Sequence, residues 1–258
     1  MQPGTGRRRK LPRSRRLVCD LLHFARQVPL FPLERSCDLW EVAEARAWAP
    51  RRIAWSILFL KAYAMLARDY APLRQAYLRW PWPHLYEHPA SVAMLAINRG
   101  EGESERLYWG RFKHPESQRL TELQALLDRY KTEPAETVFR SQERLSRLPG
   151  PVRHLAWWLG LNVSGDLRAR KFGTFGLTTL AGQGAVNHYH ATCLTTSLTY
   201  GPIDSAGRSV VTMLFDHRVT DGSCIARALG DLEAILKGPI TRELEDMAGP
   251  RGRQSLAG

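Results

Sequence analysis

The sequence predicts an α+β fold, a two-layer mixed-sheet sandwich, and three observations carry that expectation. Strand-like runs are few and interspersed with helical ones. The last three, within Gly173–Leu180, Ala191–Tyr200 and Ser209–Phe215, follow one another with no helix between them. The regular strand–helix alternation of a doubly wound sheet is therefore missing. With 258 residues, 44% of them hydrophobic, the chain is long enough and apolar enough to bury a substantial core.

Taken in order, Arg13 to Gln27 is expected as a helix that stops before Pro29, which cannot continue it. Pro29 to Asp38 reads as extended and Leu39 to Trp48 as a short helix. Pro50 precedes a helix over Arg52 to Tyr70 that is apolar nearly all round, the pattern of a buried element. Trp80-Pro81-Trp82-Pro83 reads as a stiff loop. Ser91 to Asn98 and Arg106 to Phe112 are expected strands across the polar turn Arg99 to Glu105. Leu120, Leu123, Leu126 and Leu127 recur at helical spacing within Ser117 to Tyr130. Pro134 to Ala169 reads as two helices split at Leu148-Pro149-Gly150-Pro151. Gly201 to Gly207 joins the last two strands as a hairpin, and Asp221 to Leu236 forms a final helix. The expected organisation is a basic arm over 1–10, one domain over 11–238, and a loose polar tail over 239–258.

The formal net charge of +12 is concentrated at one end: seven basic residues and no acid lie between Arg7 and Arg16. Such an arm is either a solvated tail or a site for anions. No nucleic-acid motif accompanies it, so a nucleic-acid partner is not expected. The remaining positive balance suits anionic partners such as coenzyme A or an acidic carrier protein. Cys19, Cys37, Cys193 and Cys224 lack paired spacing, which argues against a disulfide framework or a zinc knuckle and suits a reducing cytoplasm, the expected location. The apolar run Ile53 to Ala67 is interrupted by Lys61 and falls short of the roughly 20 residues of a membrane span.

The string that carries chemistry is Phe215-Asp216-His217-Arg218-Val219-Thr220-Asp221-Gly222. A strand ends, a histidine follows, and an Asp-Gly pair opens a helix. Histidine can take and return a proton near neutral pH, and a loop between two rigid elements holds it both exposed and fixed. Asp221 suits the positive end of the helix dipole, and its carboxylate can also hold an arginine. Gly222 permits close packing or an unusual backbone angle. On these residues alone, an ordinary loop histidine with an aspartate helix cap is the more common reading.

The wider sequence favours the chemical reading. The string resembles the Asp-His-Arg-x-x-Asp-Gly signature of the 2-oxo acid dehydrogenase acyltransferases, related to the His-x-x-x-Asp-Gly motif of the chloramphenicol acetyltransferases. Leu11 to Arg16, Val28 to Phe31 and Cys37 to Arg46 resemble the opening helix, strand and second helix of that catalytic domain. Phe172-Gly173-Thr174-Phe175-Gly176-Leu177-Thr178-Thr179-Leu180 is similar to its Gly-Thr-Phe-Thr-Ile-Ser-Ser/Asn-Leu-Gly stretch. These motifs stand in family order over most of residues 11 to 237.

The resemblance implies a chloramphenicol acetyltransferase-like fold and an acyltransferase. His217 is then the general base that deprotonates the acceptor, and Thr178 stands where the family has the serine that stabilises the oxyanion. Asp221 is the motif acid that supports the loop through an arginine, here matched to Arg15, with Gly222 beside it. The thioester donor is coenzyme A or acyl-carrier protein, the acceptor a hydroxyl, amine or thiol, and no bound metal or redox cofactor is needed. The family's active site lies between subunits, which implies a homotrimer.

Three departures stand out. The resemblance begins within about a dozen residues of Met1, with no lipoyl domain before it, so a stand-alone acyltransferase is expected. The alternatives are a separately encoded dihydrolipoamide acyltransferase core and a non-catalytic scaffold. Val186-Asn187-His188-Tyr189-His190 replaces a proline-rich stretch; on a strand, His188 and His190 would share one face, as channel or structural residues or as metal ligands lacking a third partner. Finally, 134–169 is a helical insertion carrying Trp157 and Trp158, flanked by Arg144, Arg147, Arg153, Arg168 and Arg170. It reads as a core helix, as an acyl-binding lid whose tryptophans line a substrate channel, or as a contact with an anionic membrane.

Overall fold

The computed structural model describes residues 6–100 and 105–248. The chain opens with α1 (Arg13–Ala25), β1 (Leu30–Asp38), α2 (Trp40–Trp48) and α3 (Trp55–Asp69), then a hairpin of β2 (Gln75–Leu78) and β3 (His84–Glu87). It continues through β4 (Val92–Arg99), β5 (Arg106–Lys113) and α4 (Leu120–Thr132). Four helices follow: α5 (Ala135–Val138), α6 (Arg140–Arg147), α7 (Gly150–Asn162) and α8 (Gly165–Phe172). The last elements are β6 (Phe175–Leu177), β7 (Thr196–Tyr200), β8 (Arg208–Asp216), α9 (Gly222–Ile235) and α10 (Thr241–Ala248).

Six strands form one mixed sheet in the order β1-β8-β7-β6-β4-β5. β6 runs parallel to both β4 and β7, while the pairs β4–β5, β7–β8 and β8–β1 are antiparallel. Strand periodicity sorts side chains between two faces. Ala93, Leu95 and Ile97 of β4, Phe175 and Leu177 of β6, and Val211, Met213 and Phe215 of β8 point into the main core. There they meet α3, whose residues Ile57 to Ala64 are all buried, and Ile225, Leu229 and Leu232 of α9. Tyr63 stacks on Phe175 with ring centroids 4.0 Å apart, and its hydroxyl bonds Thr196. Fully burying such side chains stabilises by about 1.5–3 kcal/mol each. This layer of helices on a mixed sheet is the expected architecture. On the opposite face, α1 and α6 to α8 cover the middle of the sheet around a second, smaller cluster of Phe24, Ala25, Trp157, Leu161 and Cys193.

Several local expectations change, among them the strand over Gly173–Leu180, which forms only from Phe175 to Leu177. The tail is not loose throughout: α10 forms, buries Leu244, and sends Glu243 to Lys61 of α3 and, at 2.7 Å, to the Leu120 amide. Glu243 there is an interhelical partner, and the rest of the expected tail, 249–258, lies outside the described residues. The stiff loop Trp80–Pro83 is the tip of the β2–β3 hairpin, tied to α7 by the Trp80 amide on the Asn162 carbonyl at 3.3 Å. The insertion holds four helices instead of two. The expected strand over 191–200 forms only from Thr196, leaving 184–195 irregular. Of the basic arm, 6–10 is exposed and without regular structure, and 1–5 lies outside the described residues, as does 101–104 of the polar turn.

Candidate active site

His217 follows the last residue of β8, and its amide continues the ladder onto β1 by bonding the Pro29 carbonyl at 3.3 Å. The loop is fixed from below by Asp216. This carboxylate is 1% exposed and accepts from the Arg218 amide at 3.0 Å, Nε at 2.9 Å and Nη2 at 2.7 Å. The Arg218 guanidinium in turn lies 4.3 Å over the ring of Tyr77. A buried carboxylate held by a forked guanidinium is geometrically specific, so the turn has little freedom. The imidazole of His217 stands out of this base with the ring of Phe31 edge-on at 5.1 Å.

Asp221 occupies the N-cap position of α9 but accepts no helix amide through its side chain. Its Oδ1 lies 3.4 Å from His217 Nδ1. The aspartate thus faces the histidine, and Arg15, the expected partner, is exposed on α1 and forms no ion pair with it. The physical reason is local: Arg218, two residues from Asp216, closes the loop at shorter range than any residue of α1. Gly222 has no positive φ, and a methyl group there would meet Leu33 and Phe215 only at ordinary distances of 3.7 and 3.9 Å. Neither reason expected for that glycine applies within one chain.

Thr178 follows β6, its amide bonding the Leu198 carbonyl at 3.1 Å and its hydroxyl without a partner among the described residues. It does not meet His217. Through the register Phe175–Thr196–Phe215, the two residues depart in opposite directions from one level of the sheet. That puts them about 16 Å apart along the strands and about 10 Å across them.

Thr178 lines instead a cavity of about 440 Å³ between the sheet and the helices α1 and α6 to α8. Its floor is Met94, Ala96, Trp109, Gly176 and Ser197; its roof includes Leu17, Leu21, Leu145, Trp157 and Phe172. Lys171 and Arg111, both exposed, stand at its rim. Two buried arginines fasten the roof. Arg153 of α7 grips Asp20 of α1 with bonds of 2.7 and 3.1 Å, and Arg168 of α8 donates to the carbonyls of Tyr77, Leu161 and Cys193. Burial pulls the Arg168 pKa down to about 10. These two are therefore not part of a basic surface, as their place in the sequence suggested.

The expected channel residues divide. Trp157 is buried, stacks on Phe24 at 5.7 Å and lines the cavity, whereas Trp158, the next residue on the helix, points out and does not. His188 and His190 share no face, because the segment is irregular. His188 pairs with Glu34 at 2.5 Å outside the cavity. His190 enters it, with Nε2 2.6 Å from Ser197 Oγ, and burial pulls its pKa down to about 4. Among the described residues no cluster of three or more histidine, cysteine or carboxylate side chains is arranged to hold a metal. Sequence reasoning missed Ser197, Asp20 and the Asp216–Arg218 pair. Only the last lay within the motif, as an i,i+2 acid–base pair.

Comparison with known proteins agrees on the fold. No protein-family profile and no curated protein matches the sequence. Among solved structures, the chain is similar to a probable dihydrolipoamide acetyltransferase of Listeria monocytogenes 4b F2365, with a TM-score of 0.66 and 14% identity over 90% of this chain and 94% of that one. It is similar also to the dihydrolipoamide acetyltransferase of Azotobacter vinelandii, with a TM-score of 0.62 and 17% identity over 93% and 95%. A chloramphenicol acetyltransferase matches with a TM-score of 0.51 and 11% identity over 88% and 96%. The chain has the fold of the dihydrolipoamide acetyltransferase catalytic cores and of chloramphenicol acetyltransferase. No helix among the described residues is long and apolar enough to cross a membrane.

Proposed function

We propose that the protein is an acyltransferase that moves an acyl group from a coenzyme A or acyl-carrier-protein thioester to a hydroxyl, amine or thiol. The observation that carries this reading is the His217 loop: an exposed imidazole on a rigid turn, its Nδ1 facing Asp221. Asp221 favours the tautomer in which Nδ1 carries the proton and Nε2 is free to accept one. His217 Nε2 takes the acceptor's proton as the heteroatom attacks the thioester carbonyl carbon. The Thr178 hydroxyl donates to the resulting oxyanion. Collapse expels the thiolate, which recovers the proton from the imidazolium. General-base assistance contributes roughly a hundred- to ten-thousand-fold, and one oxyanion donor roughly a hundred- to thousand-fold.

Because His217 and Thr178 lie far apart within one chain, this mechanism requires the histidine of one copy to face the threonine of another, in a homotrimer. The Azotobacter enzyme supports the assignment: a serine, a histidine and an asparagine, the last two four residues apart, have been investigated for their role in its catalytic mechanism. Thr178, His217 and Asp221 stand in the same order, with the same spacing of the last two. The cavity beside Thr178 is the acyl pocket in this reading, with Trp157 and His190 in its wall. The rim cations Lys171 and Arg111 suit an anionic donor.

The test is thiol release from short- and medium-chain acyl-coenzyme A and acyl-carrier donors, with dihydrolipoamide among the acceptors. His217→Ala is expected to lower release at least a hundredfold. Release indifferent to that substitution would remove the proposal, and use of dihydrolipoamide alone would assign the chain to the complex-core alternative.

A further inference from the structure

Resting on the acyl-transfer reading, we propose that the His190–Ser197 pair reads an oxygen on the acyl chain, so that the cavity takes aliphatic chains with a hydroxyl or oxo group a few carbons from the thioester. The pair is the polar spot on an otherwise largely apolar floor. Ser197 lies on β7 with its hydroxyl on the cavity side, and His190 Nε2 is its one side-chain partner among the described residues, at 2.6 Å. A hydroxyl has one donor and two acceptor sites, so capacity for a further bond remains. His190 Nδ1 is enclosed and has no partner. A ligand oxygen on Ser197 would take up that remaining capacity, while His190 Nδ1 stays without a partner.

The neighbouring strand makes room for this hydroxyl. Gly176 is registered directly beside Ser197, and a methyl group at 176 would stand 2.5 Å from Ser197 Oγ. Glycine at 176 thus keeps the serine oxygen open to the cavity. Two residues further along β6, on the same face, comes Thr178. One strand spacing and two residue rises separate the two hydroxyls by about 8 Å. A thioester oxygen on Thr178 and a second oxygen on Ser197, each at about 2.8 Å, would lie roughly 3–5 Å apart. That fits a substituent on the third to fifth carbon.

A reading of the same pair as a nucleophile and its base is opposed by its surroundings. A base must become imidazolium, and burial holds His190 neutral down to about pH 4. No carboxylate meets its Nδ1 to stabilise the charge. A neutral hydrogen-bonding station is what such a site supports.

The test is calorimetric binding of octanoyl-coenzyme A and 3-hydroxyoctanoyl-coenzyme A to the His217→Ala protein, which holds donors without turnover. One added hydrogen bond is worth roughly a two- to twelvefold preference for the hydroxylated chain. Ser197→Ala should bring the two affinities within twofold, and comparing two ligands on one variant controls for its folding. Ala96→Phe, which fills the floor, should weaken both at least tenfold. Equal affinities at the outset, a preference that survives Ser197→Ala, or indifference to Ala96→Phe would overturn the inference and leave acyl transfer standing. Failure of either ligand to bind, together with no thiol release, would remove both.

Discussion

At the scale of single residues, the proposed chemistry rests on the His217 loop, where Asp221 faces the imidazole at 3.4 Å and the buried Asp216 holds the turn through Arg218. The motif Asp216 to Gly222 singled out His217 through its resemblance to the acyltransferase signature, whereas spacing alone left an ordinary loop histidine open. Which acid does what was not legible. Asp216 anchors Arg218 and Asp221 faces His217, an allocation set by side-chain direction at the strand end. Thr178 tests the oxyanion assignment. Thr178→Val, which keeps the shape and loses the hydroxyl, is expected to lower turnover a hundred- to thousand-fold, while Thr178→Ser stays within about tenfold of the parent, both measured by thiol release. Equal activity of the two variants would exclude that role.

The buried histidines set a pH dependence of stability. Burial pulls both His88 and His190 down to about 4 from an ordinary 6.5, and Arg168 and Arg74 push His88 the same way. Between these values the unfolded chain binds protons that the folded one does not, so stability rises with pH across the window. Their contribution is complete above about pH 6.5 and lost as pH falls through 4. Each histidine contributes on the order of 3 kcal/mol over the full interval. Urea unfolding between pH 7 and 4.5 should therefore show falling stability, with a shallower slope in His190→Gln. An unchanged slope in that variant would contradict the assignment.

At the scale of elements, amphipathic period located α3, α4 and α9 because each presents one face, or nearly all faces, to a core. It failed for the β2–β3 hairpin, whose four-residue strands are too short to express a period, and for α10, whose eight residues carry only Leu244 and Met247 into the core beside the Glu243–Lys61 pair. It failed also for β6: the sequence suggested eight residues, but Gly173 turns the chain with φ of 82° and only Phe175–Leu177 pairs. The cavity roof illustrates the same limit. Arg153 and Asp20 are 133 residues apart, and nothing local links them. Their buried pair clamps α7 onto α1, so Asp20→Ala leaves Arg153 buried and uncompensated. The expected cost is about 3–5 kcal/mol by denaturant unfolding. A loss under about 1 kcal/mol would indicate that the roof opens to hydrate the arginine.

At the scale of the whole molecule, the fold was legible from the order of three separated motifs, whereas the cavity was not, since its walls come from ten helices and strands brought together by topology. The separation of His217 from Thr178 makes assembly part of the proposed chemistry. The measurement that tests this most directly mixes two inactive chains, His217→Ala and Thr178→Val, after unfolding and refolding them together. If the site is shared between copies, an interface that takes its histidine from one variant and its threonine from the other is intact, and thiol release should recover to about a quarter of the parental rate in an equal mixture. Recovery no greater than the sum of the two separate variants would contradict the shared site and the mechanism built on it.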